Sequence, residues 1–434
     1  MPTRGRFPLR RHAGLRWASL ALSSLLAFAA HPALADAGGA PLDSLNLSLT
    51  EAVERARARA PDVMSAHVAR SEADALRIGA GLILPANPRL SVDLRPPLDQ
   101  GQLSHTGYGA MLEFLFDVGG APAARIREAD HRVRLAAADV EVQESRAREA
   151  AWNAYVRASV GMRRIAQIRD VAQIAERVVA AAARRSALGA TGDIDKSLAQ
   201  SELAQVQLLL SDATRQYERR AMDLRQLLDL PAQLALSLTT AVEMPEPAPR
   251  AGELAARALR LRPELKAIGG QIELLRAIDE RLGRETLPRV GSYVGIDAAP
   301  LSPIFGVAGL SIELPVAQRN AGSRAAARVR LAGLIQRLEF EERSIVREVL
   351  SGYEAYEMRR AELKALDENA LPAAEKTLEL VEEGWRSGEF DVFRVTSAAR
   401  DVARLRGMRL DAIEAAWVER AALDRIVGGL PTHE

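Results

Sequence analysis

The sequence predicts a mainly α-helical chain with a small β part, built as two tandem repeats. Each repeat consists of a leading helix, two short strands and a long antiparallel coiled-coil hairpin. Three observations carry this prediction. Apolar residues fall seven apart over stretches far longer than an ordinary globular helix; two places show short runs of strict apolar alternation; and the same ordered series of elements occurs twice, its leading-helix glutamate and proline recurring at an offset of 202 residues.

The repeat is legible residue by residue. Glu51-Ala52-Val53 and Arg59-Ala60-Pro61-Asp62-Val63 return as Glu253-Leu254-Ala255 and Leu261-Arg262-Pro263-Glu264-Leu265. Leu84-Pro85 answers to Leu287-Pro288, Glu113 to Glu313, and Gly192-Asp193-Ile194-Asp195 to Gly388-Glu389-Phe390-Asp391. The opening helix is expected from Leu49 to about Leu84, where Pro85 and Pro88 stop it. Strands are expected at about 89–95 and 107–116 in the first repeat, and at about 289–298 and 306–314 in the second. In the second of these strands Tyr108, Ala110, Leu112 and Phe114 alternate with Gly109, Met111 and Glu113, so one face is apolar and the other mixed.

After each strand pair the period becomes helical. Ile126, Val133, Val140, Ala147 and Ala154 form one seam, Leu203, Leu210, Tyr217 and Leu224 a second, and Val349, Tyr356 and Leu363 a third. Hairpins are expected over 122–230 and 322–428, the first with an outgoing helix roughly 100 Å long at 1.5 Å per residue. Residues 244–250, with three prolines, read as a linker between a first repeat at 36–243 and a second at 251–430.

Residues 1–35 have the form of a signal peptide. Five arginines, from Arg4 to Arg16, precede the apolar run Trp17 to Ala30, and Ala33-Leu34-Ala35 fits a cleavage site. Without them the net charge moves from +1 to −4, which gives no reason to expect a nucleic-acid partner. The chain contains no cysteine, so disulfides, thiol catalysis and a lipid-modified N-terminal cysteine are excluded. No stretch after Ala35 offers about 18 uninterrupted apolar residues, so entry into a membrane would have to be by strands. Four strands cannot close a barrel, and an open edge in hydrocarbon leaves backbone groups unsatisfied at several kcal/mol each. Copies must then share one barrel. Two copies give a side-chain-filled eight-stranded barrel, whereas three give twelve strands and a wider lumen, so transport favours a homotrimer.

The order of Leu49-Thr50-Glu51-Ala52 with Pro61, Leu84-Pro85-Ala86-Asn87-Pro88-Arg89-Leu90, Asp117-Val118-Gly119-Gly120 and Gly388-Glu389-Phe390-Asp391-Val392 resembles the outer-membrane efflux protein family, whose best known member is TolC. The resemblance covers nearly all of the mature chain. It implies a trimer with a shared twelve-stranded barrel in the outer membrane of a Gram-negative bacterium and an α-helical tunnel in the periplasm. It also implies an inner-membrane pump and a periplasmic adaptor (membrane fusion protein) as partners, the chain being the passive exit duct. Leu314-Pro315-Val316-Ala317-Gln318-Arg319-Asn320-Ala321-Gly322 is similar to a segment of the heavy-metal and cation efflux branch, a pointer to metal cations as cargo. The six histidines, at 12, 31, 67, 105, 131 and 433, show no metal-ligand spacing, so no metal site and no cofactor is expected in this chain.

Candidate functional residues follow from this arrangement. Glu113 and Glu313, on the less apolar strand faces, are expected in the barrel lumen; Tyr108, Phe114 and Phe116 are expected in the lipid-facing belt. Gly189, Gly192, Asp193, Asp195, Gly388, Glu389, Asp391 and Arg394 mark the two hairpin tips, the periplasmic entrance or adaptor-docking end. The carboxylates there have two readings, a cation-attracting ring or simple caps of the returning helices. The TolC-like pattern places acidic gate residues six and nine positions beyond the second tip glycine. Here those positions are Arg394 and Ser397, so that gate does not carry over. No nucleophile elbow, phosphate loop or zinc helix stands out, and the chain does not read as an enzyme. The competing class is a soluble periplasmic coiled-coil adaptor or scaffold, which would have no reason to carry two matched strand pairs.

Overall fold

The structure, a computed structural model, describes residues 44–82, 84, 86–96, 106–187, 193–299 and 303–429. The expected signal peptide, at 1–35, lies outside the described residues.

Each repeat opens on a helix that breaks in two. The first gives α1 (Leu49–Arg59) and α2 (Pro61–Ala80), where a single helix was expected. The cause is Pro61: the residue before a proline is pushed out of the helical region, and Ala60 sits at φ −58°, ψ 139°. The second repeat does the same at Arg262 before Pro263, which divides α5 (Ala251–Leu261) from α6 (Pro263–Arg284). Ser48 and Glu51 close a reciprocal capping box on α1, and the Ser48 hydrogen bonds hold the Glu51 carboxyl below the usual carboxylate range.

The strands follow. Beyond the four expected, a short parallel pair exists: β1 (Ser44–Leu47) lies beside β4 (Ala235–Leu238). Sequence reasoning missed it because neither four-residue strand is long enough to show a period. The main sheet is antiparallel in the order β2 (Arg89–Arg95), β3 (Gly107–Phe116), β5 (Arg289–Ala298), β6 (Ile304–Glu313). β6 begins directly after Pro303, two residues before the expected start.

The long helices then run away from the sheet. α3 (Ala121–Ala187) packs against α1, α2, α4 (Asp193–Leu227), α6 and α9 (Val392–Val427). In the second repeat the outgoing helix is interrupted. α7 (Ala321–Ala365) passes through a π-helical turn, Leu366–Ala370, before α8 (Leu371–Ser387). Pro372 explains the interruption: its ring and missing amide disrupt the ordinary ladder, and one wide turn absorbs the mismatch. Asp367 of that turn accepts two hydrogen bonds from Arg409 on α9, at 2.5 and 3.2 Å.

The main core surrounds Tyr155, Leu224, Leu228, Leu363, Leu410 and Ile413, all fully buried or nearly so. Two tyrosines, one per repeat, tie the lead-in of each repeat to the long helices. Tyr155 Oη donates to Leu47 O at 3.1 Å and accepts from Thr240 N at 2.9 Å. Tyr356 Oη donates to Glu246 O in the proline-rich segment; burial pushes its pKa up, so it stays a donor. Carbonyls in and just before that segment are further held, by Arg163 to Val242, Trp417 to Glu243 and Arg360 to Pro245. Proline lacks the amide but keeps its carbonyl, and near a packed surface that acceptor needs a partner.

Tyr155→Phe keeps the ring and removes both hydrogen bonds. It should cost about 1–3 kcal/mol, read as a lower urea midpoint of the helical circular-dichroism signal.

Candidate functional site: sheet faces, neck and hairpin tips

Strand register decides which side chains share a face. Leu90, Val92 and Leu94 of β2 stand opposite Leu112, Ala110 and Tyr108 of β3, and these continue into Val294, Ile296 and Ala298 of β5. Phe114, Phe116, Leu310 and Ile312 lie on the same side. Leu90 is 68% exposed and Leu310 75%, and no layer of the described chain covers this face. A sheet ordinarily buries its apolar face against another layer. Among the described residues no such layer is present, and both edges, β2 and β6, are open.

The opposite face carries Arg89, Glu113, Tyr293, Arg289, Glu313, Arg95 and Asp297. Arg95 reaches Asp297 at 3.3 Å over Gly109. Tyr293 lies over Gly309, where a Cβ would collide with its ring. The structure therefore puts Glu113 and Glu313 on the polar face and Tyr108, Phe114 and Phe116 on the apolar one.

Where sheet becomes helix, a charged neck forms that the sequence did not single out. Asp117, whose side chain is 2% exposed, pairs with Arg125 and, at 3.1 Å, with Arg289, which also approaches Glu313 at 3.7 Å. Gly119 and Gly120 follow with φ of 79° and 83°, a left-handed turn that L side chains resist. Leu287 fills the space a Gly119 Cβ would need. The second repeat makes this corner with Asn320 (φ 52°), whose amide donates to Leu282 O at 3.2 Å. The sequence signal was present in Asp117-Val118-Gly119-Gly120, but the arginines that complete it come from other elements.

At the far end, Gly388 (φ 86°) ends α8, and the amides of Glu389 and Phe390 both donate to Gly384 O. Asp391 caps α9 by accepting from Arg394 N at 3.0 Å, so its capping reading holds. The Arg394 guanidinium lies over the Phe390 ring at 4.8 Å. Gly189 and Gly192 lie outside the described residues; Asp193 and Asp195 fall in the first turn of α4, and their side chains lie outside the description too. The two hairpins are joined by Arg400–Glu202 at 2.7 Å, Arg220–Glu414 at 2.9 Å and Arg425–Glu149 at 2.7 Å. Among the described residues no helix is long and apolar enough to cross a membrane, and no group of three His, Asp or Glu is arranged to hold a metal ion.

The described chain thus combines an uncovered sheet with one apolar face and helical hairpins that run roughly 100 Å. Residues 281–429, most of the second repeat, match the family described as outer membrane efflux protein. The chain is 25% identical over 365 residues to the cobalt-zinc-cadmium resistance protein CzcC of Cupriavidus metallidurans, covering 80% of this chain and 83% of that one. Its fold is similar to the outer-membrane channel OprN (TM-score 0.72, 18% identity, 88% of this chain and 90% of that). It is also similar to the CmeC outer membrane channel of Campylobacter jejuni (TM-score 0.74, 12% identity, 89% and 87%).

Asp117→Ala should leave Arg125 and Arg289 facing each other without their shared counter-charge. A loss of a few kcal/mol is expected, discounted because both arginines are partly solvated. It would appear as a lower thermal midpoint of the helical circular-dichroism signal; Glu313→Ala, at an exposed carboxylate, should change little.

Proposed function

We propose that three copies of this chain share one twelve-stranded barrel in the outer membrane, continued into the periplasm as an α-helical tunnel. The assembly is a passive exit duct and not an enzyme. An inner-membrane pump delivers the cargo through a periplasmic adaptor, and the cargo is metal cations. The uncovered apolar sheet face with two open edges carries this reading: only hydrocarbon outside and a neighbouring strand at each edge satisfy both demands. The likeness to a cobalt-zinc-cadmium resistance protein supports the cargo. In this duct Tyr108, Phe114 and Phe116 face lipid, and Glu113 and Glu313 face the lumen. The tips that carry Gly189, Gly192, Asp193, Asp195, Gly388, Glu389, Asp391 and Arg394 form the entrance and meet the adaptor. Residues 1–35 are removed on export, and 244–250 joins repeats 36–243 and 251–430.

The test is to express the full chain in a Gram-negative host, separate the membranes, and run the outer-membrane fraction with and without heating beside crosslinked samples. A heat-modifiable trimer is expected; a soluble periplasmic monomer would overturn the reading in favour of a scaffold. In planar bilayers, Glu113→Lys should shift reversal potentials toward anions by changing three lumenal charges per channel. Arg394→Ala should raise single-channel conductance if Arg394 helps to close the entrance, and unchanged conductance would remove it from that role.

A further inference from the structure

Within one protomer, each pair of neighbouring strands in the main sheet continues into a pair of packed helices. β2–β3 leads into α2–α3, β3–β5 into α3–α6, and β5–β6 into α6–α7. Every one of these helix pairs is stapled by arginine–carboxylate contacts: Arg77 to Asp130 at 2.5 Å, Arg127 to Glu280 at 2.5 Å, and Asp279 to Arg324 at 3.0 Å. Strand register also persists into the helices. Counted outward from Phe116 opposite Val290, and from Glu313 opposite Arg289, the Arg127–Glu280 and Asp279–Arg324 partners are level to within one residue. Arg77–Asp130 is level to within about a turn and a half.

If the barrel closes as proposed above, the unfilled seam lies between β6 of one copy and β2 of the next. The helices beside it are then α7 and α2. Each has a face on which no other described element of the protomer packs. On α2, Met64, Val68, Ser71, Ala75 and Ile78, with Leu82 just beyond its end, follow alternating steps of four and three and are all exposed, Ile78 by 80%. On α7 the same stepping runs through Gly322, Ala326, Val329, Gly333, Gln336 and Phe340, also exposed, Val329 by 73%. Gly322 and Gly333 have no atom within 4 Å of where a Cβ would stand. Alanine would favour the helix by about 1 kcal/mol at such a site, so glycine there fits close approach by something outside the protomer.

The two stripes also fit each other. Set antiparallel, Leu82 and Ile78 meet Gly322 and Ala326, Ser71 meets Gly333, and Met64 meets Phe340, with large residues facing small ones at the membrane end. Glu72 stands as many residues before Arg89 as Arg330 stands after Glu313, and both occupy the position that flanks the seam. Among the described residues neither has an ion-pair partner within the protomer. His67 and Glu339 flank the opposite side at matching level.

We infer that α2 of one protomer and α7 of the next form the subunit seam as an antiparallel coiled coil, with Glu72 paired to Arg330 of the partner subunit. This rests on the shared-barrel reading and adds which helices meet, in which register and through which charges. Since the chain has no cysteine, oxidation of a Ser71→Cys/Gly333→Cys double variant reads the register directly. A covalent ladder ending at trimer is expected on non-reducing denaturing gels, with neither single variant giving one. Glu72→Arg should lower the temperature at which the trimer dissociates, and adding Arg330→Glu should restore it. An intact trimer on unheated gels without the disulfide ladder, or a charge swap that does not restore stability, overturns the seam while leaving the shared barrel standing. Absence of any trimer in the unmodified protein overturns both.

Discussion

An antiparallel sheet of four strands whose apolar face no layer of the described chain covers is the constraint on which the rest of this structure depends. Each edge strand presents a row of amides and carbonyls, and one face presents leucine, valine, isoleucine and phenylalanine to the surroundings. In water the apolar face alone would be a large exposed patch and the edges an invitation to aggregate. In hydrocarbon the face is satisfied and the edges become the difficulty, because no water is present to pair with them. Helices cannot supply the closure, since among the described residues none is apolar enough to enter the bilayer. Oligomerisation is therefore part of the reading of the fold, not an addition to it.

The duplicated architecture answers a second problem, how to fix a sheet to helices that extend roughly 100 Å beyond it. Small tilts at the junction would become large displacements at the tip. The junctions are accordingly specified by backbone conformation and charge together: Gly119 and Gly120 in one repeat and Asn320 in the other take left-handed φ values, and Asp117 is clamped between arginines from α3 and β5. Lower down, Tyr155 and Tyr356 hold the entry to each repeat against α3 and α7. The repeats use different residues at the corner and the same residue at the middle, as expected if geometry rather than sequence is what must be kept.

Much of this was legible in the sequence because long periods accumulate signal. The seam through Val349, Tyr356 and Leu363 is fully buried, and the alternation through Tyr108, Ala110 and Leu112 matches the observed register. What escaped was short or local. Pro61 and Pro263 each broke a helix whose periodicity runs on across the break, since a one-residue break scarcely disturbs a period read over three turns. The π turn before Pro372 escaped for the same reason, and β1 and β4 are too short to show alternation. The neck escaped because Asp117, Arg125 and Arg289 meet only in three dimensions. At the second tip, glycine followed by acidic residues marked the turn and the cap at Asp391, but the same pattern fits an entrance ring, and capping geometry does not exclude one.

The distribution of packing along the hairpins bears on where such a molecule can move. Near the middle the core contains Tyr155, Tyr356, Leu224, Leu363 and Ile413, all essentially without solvent contact. Toward the tip of the first hairpin the buried cluster reduces to Val178, Ala182 and Ala199. Apolar burial contributes about 25 cal/mol per Å², so a core of alanines stabilises far less than one of leucine and tyrosine. What remains at the tips is mostly polar and local: a capped turn, a guanidinium on a ring, and the Arg400–Glu202 pair joining α9 to α4. Local opening is cheapest where buried apolar contact is least. The tip is thus the part of the protomer that can rearrange without unfolding the middle or loosening the neck, which is the mechanical property an entrance to a closed duct requires.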